Sequence, residues 1–200
     1  MRAVGPVRGW MSWSSGKDSA FALHSVRTGG RVEITGLLTT LTQATDRVAA
    51  HGVRRVLLQA QADALGLGLH VVQLPRSCPN DVYEQRMTEA MAAARQAGAE
   101  QLVFGDLFLD DVRAYRKQAL QGTGMTPSFP LWGRPTAELA GRWYDEQLLR
   151  ELPTGVDPCG ERGEFHTFVV DGPGFATGLH VAVGDITERD GFVFADLLPT

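Results

Sequence analysis

A chain of 200 residues, 44% hydrophobic and 21% charged, carries enough apolar material for one sizeable core with a small appended lobe, as a soluble globular enzyme requires. Nineteen basic against 23 acidic residues leave a net charge of −4, which argues against a protein that wraps nucleic acid by neutralising phosphates. Apolar stretches are strand-sized and broken by glycine or charge, no secretory leader pattern opens the chain, and Cys78 and Cys159 form no C-x-x-C pair, so a reducing cytoplasm is expected and membrane insertion is not.

Gly9 to Ser14 reads as a first strand, and Ser19 to Val26, closed by Gly29-Gly30, as a first helix. Between them lies Ser14-Ser15-Gly16-Lys17-Asp18-Ser19. Small hydroxyl residues and a glycine let backbone N–H groups approach an anion, and the helix N-terminus adds roughly half an elementary charge. Lys17 can neutralise phosphate directly. Asp18 would repel it unless the carboxylate holds magnesium or caps the helix. The turn lacks the Gly-x-x-x-x-Gly-Lys-Ser/Thr of a Walker A loop and the Gly-x-Gly-x-x-Gly of a dinucleotide fold.

Val32 to Thr40 is a second strand, rich in β-branched residues. Apolar positions from Thr45 to Leu65 follow helical spacing, with Gly52 marking a break between two helices. His70 to Leu74 is a third strand stopped by Pro75, Asp81 to Ala97 a helix capped by Asn80 or Asp81 and stopped by Gly98, and Gln101 to Gly105 a fourth strand. Strands alternating with helices imply parallel β-α-β units in an open sheet whose ligands bind at the carboxyl ends of the strands. The turn at Ser14 to Ser19 and the pair Gly105-Asp106 both fall at such ends. From Phe165 onward short alternating strands follow, Phe165 to Val170, Leu179 to Ile186 and Phe192 to Leu197, as an antiparallel extension.

Ser15-Gly16-Lys17-Asp18-Ser19 after a strand resembles the pyrophosphate loop of the N-type ATP pyrophosphatases, which cleave ATP to AMP and pyrophosphate. Asp157-Pro158-Cys159-Gly160-Glu161-Arg162-Gly163-Glu164-Phe165-His166-Thr167-Phe168, followed by Asp171-Gly172-Pro173, is similar to the signature of that superfamily's diphthine-ammonia ligase branch. Further matches stand at Gly105-Asp106, Tyr115-Arg116 and Pro130-Leu131-Trp132-Gly133. The resemblance implies a Rossmann-like α/β fold of the adenine nucleotide alpha hydrolase type. Its parallel sheet would have helices on both faces and a small C-terminal β-rich extension. It divides the chain into an ATP-binding domain at 1–140 and a C-terminal lobe at 141–200. One departure stands out: the helix end, turn and sheet strand that the family pattern places before Gly141 would take about twenty residues, and they are missing here.

By this resemblance, Ser14, Ser15, Gly16, Lys17, Asp18 and Ser19, with Gly105 and Asp106, hold ATP, and Asp18 and Asp106 hold magnesium; capping for Asp18 and Ser19, and a plain turn for Asp106, are the alternatives. Lys17, Asp18, Glu161, Glu164 and His166 are the candidate catalytic residues. Two carboxylates and an imidazole within six positions are costly to bury without a task, and on a strand Glu164 and His166 would share one face. The diphthine ligases usually carry glutamate at the position of His166, which points to a different substrate or acid-base partner. Arg113 and Arg116, three apart on one helical face, and Trp132 are candidate substrate contacts, with surface salt bridges and packing as their alternatives. The segment Gly122 to Pro127 is either a mobile substrate loop or plain connection. Asp110 and Asp111 read as a solvated helix start, His51 as a satisfied core or surface histidine, and Cys159 as packing.

The activity this implies is an AMP-forming carboxylate-ammonia ligase that uses ATP and Mg2+. Its partners would be a carboxylate acceptor, protein-bound or small, and ammonia that is free or supplied by a separate donor, with no membrane and no nucleic acid; a homodimer stays open. Two other readings stand beside it: an ATP-binding module with little turnover, and a pyrophosphate-loop enzyme of RNA modification, which would want a cysteine pair or a basic face.

Overall fold

A computed structural model describes residues 5–49, 51–144, 146–189 and 191–200. Its centre is a parallel sheet. Strand β1 (Val7–Ser12) pairs on one side with β2 (Val32–Thr42), which pairs in turn with β4 (Gly68–Leu74). On its other side β1 pairs with β5 (Gln101–Val103), and β5 with β6 (Thr126–Ser128). The two-residue β3 (Arg47–Val48) runs antiparallel to the end of β2. Chain order thus moves outward from β1 in one direction and then reverses across it. The carboxyl ends of β1 and β5 flank the switch point where open α/β sheets bind ligands.

Strand alternation sorts the core into two layers. Met11, Leu37 and Val103 face one side, where they meet Phe21, Leu23 and Val26 of α1 (Lys17–Gly29), Leu58, Ala62 and Leu65 of α2 (Arg55–Leu65), and Leu139 and Ala140 of α5 (Thr136–Trp143). Their neighbours Trp10, Leu38 and Leu102 face the other, against Met91 and Ala94 of α3 (Asn80–Gln96). Cys159 and Val169 are buried in the first layer, so the C-terminal motif shares the core of the sheet.

Several sequence expectations give way. The first half of Thr45 to Leu65 is no helix: a turn and β3 occupy it. Gly52, at φ 69°, accepts from Arg47 Nη1 and donates to the Val48 carbonyl, which ends helical spacing before α2 starts. The segment Gly122 to Pro127 runs into β6, which was not foreseen, because three residues carrying Pro127 give no alternation to read. Phe165 to Val170 is not a strand. Its backbone bonds go to loop partners, Val169 N–H to the Ser15 carbonyl and Leu179 N–H to that of Val170. The cap of α3 is Pro79, ahead of Asn80 and Asp81.

The antiparallel extension is a two-stranded hairpin of β7 (Val181–Arg189) and β8 (Phe192–Pro199). Between β6 and β7 the described residues contain α5 and α6 (Glu146–Glu151) and no strand, in keeping with the segment missing before Gly141; Asp145, at that junction, lies outside the described residues. Arg47 and Arg54 fasten the hairpin to the sheet domain by gripping the Asp196 carboxylate, at 2.7 Å from Arg47 Nη1 and 3.1 Å from Arg54 Nε. Among the described residues no helix is long and apolar enough to cross a membrane.

Candidate active site

The chain leaves β1 at Ser12 and enters α1 at Lys17, so the turn between them must reverse direction in four residues. Ser15 makes this possible by adopting φ 71°, a conformation uncommon for a residue with a side chain. Its carbonyl is held by two donors, Gln61 Nε2 at 3.1 Å and Val169 N–H at 3.0 Å. Gln61, fully buried on α2, also donates to the Val169 carbonyl at 2.7 Å and accepts from Trp13 Nε1 at 2.8 Å. One amide therefore ties α2, the turn and the C-terminal motif together. Within the turn, Ser14 Oγ donates to Ser19 Oγ and Ser19 Oγ to the Gly16 carbonyl.

The C-terminal motif lies directly over the turn. Lys17 N–H, the first of α1, donates to Thr167 Oγ1 at 3.0 Å. A side chain at Gly16 would come within 3.1 Å of the Thr167 carbonyl, so glycine is what allows the approach. Gly105 does the same from the β5 side: a Cβ there would sit 2.8 Å from the backbone carbonyl carbon of Asp18. The motif turn is organised by two carboxylates. Asp157 accepts from Cys159 N–H and Thr136 Oγ1, and Glu164 from the N–H groups of Asp157 and Arg162, each at 2.8–3.0 Å. Those bonds aim Glu161 inward.

A cavity of about 470 Å3 results, lined by Ser14, Gly16, Lys17, Asp18, Glu161 and His166, together with His51, Cys159 and Thr167. Lys17 is its only buried cation among the described residues, 5% exposed, with Nζ 2.7 Å from Asp18 and 3.7 Å from Glu161. Burial raises the Asp18 carboxyl above its ordinary value despite Lys17. Burial, and then the Asp18 carboxylate, lift Glu161 to about 7. Two carboxylates thus crowd one ammonium, an arrangement with room for further positive charge. Hard oxygen donors of this kind suit magnesium, which takes one or two carboxylates and completes its shell with phosphates and water. No described group of three or more His, Cys, Asp or Glu could hold a metal unaided.

His51 was not foreseen as part of the site. Its Nδ1 lies 3.2 Å from the Ser14 carbonyl and its ring packs 4.1 Å, centroid to centroid, from that of His166. A carbonyl only accepts, so the proton sits on Nδ1 and the neutral ring presents Nε2 as a base. Burial holds both imidazoles below their ordinary value, and for His166 the neighbouring His51 and Lys17 act in the same direction. Nothing local in the sequence marks His51 or Gln61, and Thr167, although part of the motif string, takes up the Lys17 N–H only once the motif folds onto the turn.

The other expected residues are placed differently. Ser15 Oγ is buried without a hydrogen-bond partner, and Ser15 and Ser19 act on the turn through its backbone. Glu164 is exposed and occupied in holding its own turn. Asp106 follows β5 and pairs with Arg116 Nε at 3.2 Å, while still adding to the charge that lifts Glu161. Arg113 and Arg116 do share α4 (Asp110–Ala119), yet they stack on aromatic rings: Arg113 lies 4.2 Å over Trp132 and Arg116 4.7 Å over Phe104. Those arginines and Trp132 do not line the cavity. Cys159 is buried, with its thiol pushed up to about 12 by that burial and its Sγ donating to the Thr136 carbonyl, which makes it an inert packing residue.

No curated protein matches the chain. Two family models do: the diphthamide synthase N-terminal domain over residues 7–127 and the diphthamide synthase C-terminal domain over residues 135–194. Such domains imply an enzyme that uses ATP through a pyrophosphate loop, typically with Mg2+. With both domains present in order, the chain belongs to the diphthamide synthase family, within the pyrophosphate-loop ATP pyrophosphatase superfamily.

Proposed function

We propose that the protein is an ATP-dependent amide ligase of the diphthine-ammonia ligase type, which activates a carboxylate as its acyl adenylate and releases AMP and pyrophosphate. The observation that supports this most is the pairing of the two motifs. Thr167 caps the helix that begins at Lys17, and Glu161 of the same motif reaches the Lys17 ammonium.

In this reading a substrate carboxylate oxygen attacks the α-phosphorus of ATP, and the bond to the bridging oxygen breaks with its electron pair leaving on pyrophosphate. Lys17 and the positive end of α1 offset the charge of the departing group. Asp18 and Glu161 would hold Mg2+, which would supply further neutralisation of phosphate charge when bound. Ammonia then attacks the acyl carbon, the acyl-oxygen bond to AMP breaks, and the proton shed by nitrogen passes to His51 Nε2. Asp157 and Glu164 position Glu161 and do not touch the reacting atoms.

Incubation of the full chain with ATP, Mg2+, ammonium and a panel of carboxylates should give AMP and pyrophosphate in equal amounts. Lys17→Ala should lower that rate by on the order of 10²-fold or more. ADP and phosphate as the sole products would overturn the proposal.

A further inference from the structure

Beside the phosphate cavity lies a larger one, about 740 Å3, between the motif and the β7–β8 hairpin. The two share His51, Gly163, Phe165, His166 and Thr167, so the histidine pair stands at their junction. Apart from the shared residues and Glu164, the larger cavity is lined by glycine and apolar side chains: Val53 on one side, Phe168 and the nearby Val170, and Val181, Phe192 and Leu197 from the hairpin. Among the described residues lining it there is no Lys or Arg, and its carboxylate, Glu164, is engaged by backbone N–H groups. A polyanion such as a nucleotide or RNA would find no cation there. The size is that of a small-molecule site.

The hairpin wall is also apolar where water reaches it. Phe192 is 53% and Val193 72% exposed, although both line the cavity. The anchoring of Asp196 by Arg47 and Arg54 holds this wall in place opposite the motif. Apolar surface fixed at the mouth of a cavity gains by being covered, and a ligand that covers it while reaching the junction must carry its polar end toward Lys17.

We propose that this second cavity takes the apolar body of the acyl substrate, a monocarboxylate with an uncharged hydrocarbon chain or ring, whose carboxylate passes the His51–His166 pair into the phosphate cavity. This names a substrate class for the ligase reading and rests on it. The hairpin is then the element that selects the acyl group.

The test is calorimetric titration of the full chain, without ATP, with butyrate, hexanoate and octanoate. Affinity should tighten about fourfold for each added methylene. Val193→Asp, which sets a carboxylate at an exposed position of the wall, and Phe192→Ala should each weaken octanoate at least tenfold. Ile186→Asp, on the hairpin but outside the cavity, should leave octanoate affinity within twofold. Affinity independent of chain length, or unaffected by both wall variants, would overturn the proposal. So would a dimer in sedimentation that Ile186→Asp dissociates together with no octanoate binding, since a second copy would then cover the hairpin. Chain-length-dependent binding without any AMP release would support the cavity while removing the ligase reading. AMP release stimulated equally by acetate and octanoate would do the reverse.

Discussion

Lys17 sits between two carboxylates that would each prefer to be protonated in its absence, and this crowding gives the site its pH behaviour. Glu161 is lifted to about 7 from an ordinary 4.5. The folded chain therefore holds a proton there that the unfolded chain has lost, and the stability linked to that proton is full below 4.5 and disappears as pH rises through 7. Glu161→Gln removes the dependence, so without metal the variant should gain in melting temperature relative to the parent by a few degrees between pH 4.5 and 8. An unchanged difference across that range would contradict the assignment. Mg2+ affinity should rise over the same interval, since the ion competes with the proton. His51 has the opposite sense: its neutral form is the base, and burial keeps it neutral down to below 6.5. At fixed free ammonia and saturating Mg2+, the contribution of His51 to amide formation should accordingly be lost only on the acid side of the ordinary imidazole range. His51→Ala should slow it about 10²-fold or more while carboxylate-dependent exchange of pyrophosphate into ATP persists. Equal loss of both reactions would assign His51 to the first step or to structure.

At the scale of elements, the turn after β1 is held from outside itself. The buried Gln61 amide on α2 makes three hydrogen bonds, to Trp13, Ser15 and Val169, and nothing apolar could replace them without leaving buried polar groups unmet. Gln61→Leu should cost about 3 kcal/mol, a fall of roughly 6–12 °C in melting temperature, and weaken ATP binding because the Ser15 carbonyl is released. A loss under 1 °C with unchanged ATP affinity would refute this role. Gln61 also shows what a sequence conveys and what it withholds. Strand β1, helix α1 and the Ser14 to Ser19 turn were readable because residue type and period act locally, through glycine, small hydroxyls and an apolar run. Gln61 was not readable, since its neighbours in sequence are ordinary helix residues and its partners lie 46 and 108 positions away. The same limit explains β6, whose three residues gain their strand form from β5, and the segment after Phe165. Its alternation mimics a strand although Ser15 and Gln61 take its backbone bonds.

Over the whole molecule, the sheet order brings the ends of β1 and β5 together, and Val169 and Cys159 draw the C-terminal motif into the same core. Two motifs separated by some 140 residues become one cavity, with Thr167 bonded to Lys17 across 150 positions. Their kinship was legible because each motif is a specific string. The histidine junction and the hairpin-walled cavity were not, being products of the way α2, the motif and β7–β8 meet. This architecture separates a charged compartment at the α1 N-terminus from an apolar compartment under the hairpin, as a ligase of ATP with a hydrocarbon acid would need. In the proposed reaction the carboxylate itself attacks the α-phosphorus. The direct measurement uses a carboxylate that supports AMP release, labelled with 18O in both oxygens, incubated with the full chain, ATP, Mg2+ and ammonium, followed by mass analysis of the AMP. One labelled oxygen should appear in each AMP formed with amide; unlabelled AMP would mean that water or another nucleophile attacks ATP, and the acyl-adenylate account would fail.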